Sequence, residues 1–132
     1  MSVLWDTSVV IDLLRGHAPA IAYARALSEP PSCSEISRVE VLRGLRSNER
    51  RATERLFATI SWLPVDEQIA RRAGDLGRTW RRSHAGIATA DLIIAATAEV
   101  HGAILLHYDA DYDRIAAVTG QPVEWVAAKG SL

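Results

Sequence analysis

"ADLIIAATAEVHGAILLHYDADYD", residues 90–113, decides the fold class. Residues 90–102 are apolar and alanine-rich and end at Gly102, which predicts a helix buried on most sides with a glycine C-cap. "AILLHY", 103–108, then predicts a buried strand. A buried helix that hands over directly to a buried strand is the repeating step of an α/β domain. Three aspartates, Asp109, Asp111 and Asp113, stand on alternate positions just where that strand ends. Crowded carboxylates repel one another, so such a cluster implies a cation, a shared proton or a solvated turn.

Outward from this stretch the same alternation continues. "SVLW", 2–5, reads as a short strand, and 8–15 as a short helix ending at Gly16. A second helix is expected over 18–28, a break at "EPPS", 29–32, and a weak strand at "CSEI", 33–36. Helices are expected over 37–46 and 49–60, and "SWLPV", 61–65, as a connection or edge strand, because proline is tolerated at sheet edges. Ile69, Ala70, Ala73, Leu76 and Trp80 recur at helical spacing over 66–82, with Asp66 as N-cap. "HAG", 84–86, is a loop, 111–118 a short helix and "VEWVA" a last strand. The expectation is one α/β domain over 1–132, with a mainly parallel central sheet flanked by helices. Such sheets bind ligands beyond the carboxyl ends of their strands.

Composition excludes several classes. The single cysteine, Cys33, cannot form an internal disulfide. The apolar start lacks a basic region and is interrupted by Asp6 and Asp12, so it is not a signal peptide, and no run spans a membrane. A cytoplasmic protein is expected. Net charge is −1, but arginines crowd the middle, from Arg38 to Arg82, while Lys129 is the only lysine. The bland reading is solvated helix faces with pairs such as Arg50–Glu54; the sharper one is that guanidinium groups suit phosphate.

The acids take on meaning in this frame. Asp6 follows the first strand and Asp109 the fourth candidate strand, so both sit at carboxyl ends. Asp91 opens the apolar helix, and Glu40 lies three residues after Ser37. Each has a structural explanation: Ser37-Arg38-Val39-Glu40 fits a capping box, Asp91 suits a helix N-terminus, and Asp6 can cap the helix after it. Yet Asp91 precedes Leu92-Ile93-Ile94-Ala95-Ala96, and Asp6 is framed by Trp5 and Val9-Val10-Ile11. Burying an ionised carboxylate costs several kcal/mol unless it is offset, and a divalent cation offsets most. His17, His84, His101 and His107 are scattered, which excludes a zinc spacing; all-oxygen ligands favour Mg²⁺ or Mn²⁺. Asp109-x-Asp111-x-Asp113 begins like a calcium loop, but Arg114 and Gly120 stand where that loop needs glycine and glutamate. A phosphatase-like reading, with Asp6 as nucleophile, is weakened because Thr7 and Ser8 follow where haloacid-dehalogenase-like enzymes place x-Asp. Response-regulator receivers want a late lysine at a strand end, and Lys129 lies in a terminal tail.

"LWDTSVVIDLLRG", "SRVEVLRG" and "ATADLIIAATAEVHGAILLHYDADYD", in that order, resemble the PIN-domain ribonucleases and, within them, the VapC toxins of toxin–antitoxin pairs. The resemblance implies that Asp6, Glu40, Asp91 and Asp109 form an acidic quartet and that Asp111 is a further acid. Which of Asp109 and Asp111 faces the metal more directly stays open. His107 departs from the threonine many relatives carry two residues before the fourth acid. The resemblance also implies Thr7 and Ser8 as hydroxyl support for Asp6, and Mg²⁺- or Mn²⁺-dependent RNA hydrolysis leaving a 5′-phosphate. It implies a VapB-like antitoxin and a homodimer as well. Arg15 and Arg43, each a helix turn beyond site residues, are candidate holders of RNA phosphate. Asp113 reads as helix-start charge, and Val9, Ile11, Leu14, Leu56 and Phe57 as surface for a partner helix. The rival reading is a non-catalytic binding module whose acids are only helix caps.

Overall fold

The computed structural model describes residues 2–81 and 86–126. Arg82, His84 and Lys129, and the end of the "VEWVA" strand, lie outside the described residues. Five parallel strands, β1 (Val3–Trp5), β2 (Ser32–Ser34), β3 (Ser61–Leu63), β4 (Ile104–His107) and β5 (Val123–Trp125), form one sheet in the order β3-β2-β1-β4-β5. The helices are α1 (Thr7–Leu14), α2 (Ala18–Arg25), α3 (Glu35–Arg43), α4 (Arg50–Phe57), α5 (Glu67–Gly77), α6 (Thr89–His101) and α7 (Ala110–Thr119). None is long and apolar enough to cross a membrane.

Strand alternation builds a core on each face of the sheet. Leu4 and Leu105 point to one side, against Ile69, Leu76, Ile94 and Ile115 of α5, α6 and α7. Their neighbours Trp5 and Leu106 point to the other, against Val9, Val10, Val41 and Phe57. The α6 prediction holds: Ile94, Ala95, Ala96 and Ala98 are fully buried, and Gly102 closes the helix at φ 64°. Asp66 caps α5 by accepting from the Ile69 N–H at 3.0 Å. "SWLPV" does yield an edge strand, β3, which stops at Leu63 before Pro64.

Some boundaries move. α3 starts at Glu35, not 37, because Ser34 ends β2 and caps the helix through the Ile36 N–H at 3.2 Å. Glu40 therefore sits in mid-helix, and the capping box at Ser37 does not form. The expected 18–28, 49–60 and 66–82 helices end earlier, at Arg25, Phe57 and Gly77. Val9 and Phe57, expected on a docking surface, belong to the core.

Candidate active site

β1 lies between β2 and β4, so the chain leaves β1 toward one side while β4 flanks it on the other. At such a switch point the loops after neighbouring strands diverge and leave a crevice. Asp6 follows β1 directly and Asp109 lies two residues past the end of β4, which explains why two distant acids share one end of the sheet. The Asp6 N–H extends the ladder by donating to the Leu106 carbonyl at 3.0 Å.

Asp6, only 5% exposed, caps α1: its Oδ2 accepts from the Ser8 N–H at 3.2 Å. Its Oδ1 accepts from the Tyr112 hydroxyl at 2.5 Å. Burial pushes its carboxyl above the usual range, and the Tyr112 and Ser8 hydrogen bonds offset part of that push. Asp91 sits in the first turn of α6, half-buried, with its Oδ1 3.1 Å from the same Tyr112 hydroxyl. Burial first, then the charge of Asp6, raises its pKa to about 6. Asp109 caps α7 through the Asp111 N–H at 2.9 Å. From α3, Glu40 Oε1 accepts from the Thr7 hydroxyl at 2.6 Å, and Ser37 Oγ lies 2.9 Å from that hydroxyl.

These groups line a cleft of about 390 Å³. Asp6, Glu40, Asp91 and Asp109 reach it from four separate elements or strand ends, with Ser8, Arg43 and Tyr112 beside them. One carboxylate oxygen each of Asp91, Asp109 and Asp111 lie within 4.8 Å of one another. All the donors are hard oxygens, the set that Mg²⁺ and Mn²⁺ prefer. Burial raises the pKa of both Asp6 and Asp91, the charge of Asp6 raises that of Asp91 further, and a divalent cation opposes these shifts by favouring the ionised forms. The residues therefore fit such an ion.

The PIN domain family matches residues 3–118. The chain belongs to the PIN-domain family. Ribonuclease VapC19 of Mycobacterium tuberculosis is 43% identical over 106 residues, covering 78% of this chain and 85% of that protein. Ribonuclease VapC51 of the same organism is 36% identical over 137 residues, covering 100% of this chain and 98% of the other. Among solved structures, a toxin–antitoxin complex from Klebsiella pneumoniae superposes with a TM-score of 0.77 at 26% identity, covering 96% of this chain and 98% of that one. DNA-bound VapBC from Salmonella typhimurium gives a TM-score of 0.81 at 16% identity, with 96% and 99% covered, a likeness of fold. The PIN domain described here is thus VapC-like.

In this PIN domain the acids named from sequence divide by place. Asp6, Glu40, Asp91 and Asp109 share the cleft; Asp111 stands beside Asp91 and Asp109 and pairs with Arg114 at 3.0 Å. Thr7 turns its hydroxyl to Glu40 rather than to Asp6, while Ser8 serves Asp6 through both its backbone N–H and its side chain. Arg43 lines the cleft. Arg15 does not: it pairs with Glu49 at 3.2 Å. Asp113 accepts from the Trp125 indole N–H at 3.1 Å, in the first turn of α7 as expected. His107, fully buried, accepts the Asp109 N–H on Nδ1 at 3.1 Å, and burial lowers its pKa. A neutral ring in that role carries its proton on Nε2. Tyr112 escaped the sequence reading, because a lone aromatic in a short helix reads as core; its ring is core, and only its hydroxyl reaches the acids.

Proposed function

We propose that this chain is the toxin of a toxin–antitoxin pair, an endoribonuclease that hydrolyses RNA phosphodiesters with Mg²⁺ or Mn²⁺. The observation that carries this reading is the meeting of Asp6, Glu40, Asp91 and Asp109 in one cleft at the switch point of the sheet. The VapC ribonucleases among its relatives support it. Asp6, Asp91 and Asp109 would hold the cation, with Asp111 at its margin. When bound, that ion polarises the phosphoryl oxygen, lowers the pKa of an attacking water and stabilises the leaving 3′ oxygen.

The chain's own residues set up the rest. The Thr7 hydroxyl holds one oxygen of Glu40, leaving the other to orient and accept a proton from water. The Ser8 N–H and the Tyr112 hydroxyl fix both oxygens of Asp6. Arg43 supplies positive charge in a cleft that otherwise repels a polyanion, and a guanidinium suits a phosphate oxygen. Asp91→Asn keeps the side chain's shape and removes its charge. In this reading it abolishes cleavage of an RNA substrate while circular dichroism stays native. Full activity in a clean preparation of that variant would sink the assignment.

The partner is read as a VapB-like antitoxin. A second cleft of about 390 Å³, lined by Trp5, Leu13, Ala24, Leu27 and Leu56, is mainly apolar and runs between α1, α2 and α4. It suits the apolar face of an amphipathic helix. A homodimer is also proposed, with the exposed Val39 and Leu42 of α3 as the apolar surface it would cover. The cytoplasm is the proposed compartment.

A further inference from the structure

Tyr112 is 1% exposed, and its ring is held 5.1 Å from the His107 ring. Among the described residues its hydroxyl is the one group that touches two of the clustered carboxylates, Asp6 at 2.5 Å and Asp91 at 3.1 Å. Phenylalanine would fill the same ring-shaped space, so packing alone does not account for the oxygen. Burial and the charges of Asp6 and Asp91 hold this phenol well above its ordinary pKa, so it carries its proton and acts as a donor. A phenol has a single hydrogen. Both carboxylates share that hydrogen as acceptors, Asp6 in the shorter contact and Asp91 in the longer one.

We infer that Tyr112 is a positioning residue for the divalent cation: its hydroxyl tethers Asp6 and Asp91 to one atom and so presets the spacing of two ligands carried by different elements. Without it, Asp6 keeps only hydrogen bonds from Thr7 and Ser8 at the start of α1, and the side chain of Asp91 keeps no other hydrogen bond among the described residues. The two carboxylates then move apart under their mutual repulsion, and a cation must order them as it binds. Partners of this kind, which orient ligands without binding the metal, are worth about 10–100-fold in affinity. This inference rests on the metal-site reading above.

The test is calorimetric titration of Mn²⁺ into the purified chain, beside Tyr112→Phe and an Asp6→Asn/Asp91→Asn double variant. The expected result is a dissociation constant raised roughly tenfold or more in Tyr112→Phe, with native circular dichroism in EDTA. RNA cleavage should need correspondingly more Mn²⁺, and added Mn²⁺ should recover most of the lost rate, a rescue that a general loss of structure would not produce. Mn²⁺ should also give a tyrosine difference band in the near ultraviolet that Tyr112→Phe lacks, and the wild-type band is readable even if the variant folds poorly. Equal or tighter Mn²⁺ binding by folded Tyr112→Phe, or no wild-type band, would overturn the role of Tyr112 alone. No Mn²⁺ binding by the wild type would overturn the metal site and this role together.

Discussion

At Asp91 two forces act on one carboxyl group. Burial removes it from water, and Asp6 adds like charge, so its pKa rises from 3.8 to about 6. An acid whose folded pKa is raised destabilises the fold when ionised. The penalty is complete above about pH 6, shrinks as pH falls below that value, and is gone near pH 3.8. In EDTA, Asp91→Asn should therefore melt above wild type at pH 7, and the gap should close as pH drops to about 4. A gap independent of pH would refute the burial argument. Arg43 gives a second residue-scale expectation. Arg43→Ala should raise KM for RNA several-fold with Mn²⁺ affinity unchanged, while Arg15→Ala, tied to Glu49 outside the cleft, should leave both alone. Asp6, Asp91 and Asp109 were legible in the sequence because each follows or opens an apolar element. Tyr112 was not, since nothing local distinguishes a core aromatic from one whose hydroxyl meets two acids.

Among the elements, helix ends test the reading most cleanly. Gly102 adopts φ 64° where α6 turns into β4, and an added Cβ there would meet nothing within 4 Å. The cost of Gly102→Ala is then backbone strain without a clash, about 1 kcal/mol, read as a lower urea midpoint at constant m. A loss of several kcal/mol would show that the turn packs more tightly than its surroundings indicate. α3 shows why element ends were harder to read than element types. Ser34 and Ser37 are both competent caps, and local sequence does not choose between them. Pairing of β2 with β3 ends at Ser34, which commits that residue to the cap and leaves Ser37 to be buried beside Thr7. That shift makes Glu40 a mid-helix side chain aimed at the cleft instead of a group spent on its own backbone.

For the molecule as a whole, the cleft gathers charge that the sheet topology imposes. A cation that binds only the folded chain stabilises it, by about 2.7 kcal/mol at a hundredfold excess over Kd. Mn²⁺ at that level should raise the melting temperature of the wild type and leave Asp6→Asn/Asp91→Asn unmoved; an equal rise in both would place the ion elsewhere. The apolar cleft between α1, α2 and α4 gives the other global expectation. Leu56→Glu should weaken capture of a VapB-like antitoxin at least tenfold without loss of Mn²⁺ binding, because it charges the groove and not the acidic site. What the sequence by itself determined were the α/β class, the buried α6 and β4 and the acids at their ends, since periodicity and capping are local properties. Only the tertiary structure decided that β1 lies beside β4, that Glu40 and Arg43 face the same cleft while Arg15 turns away, and that one tyrosine hydroxyl joins two acids. Those are matters of which elements pack together, and contacts between residues as far apart as Asp6 and Tyr112 are fixed by the sheet order, which no local pattern encodes.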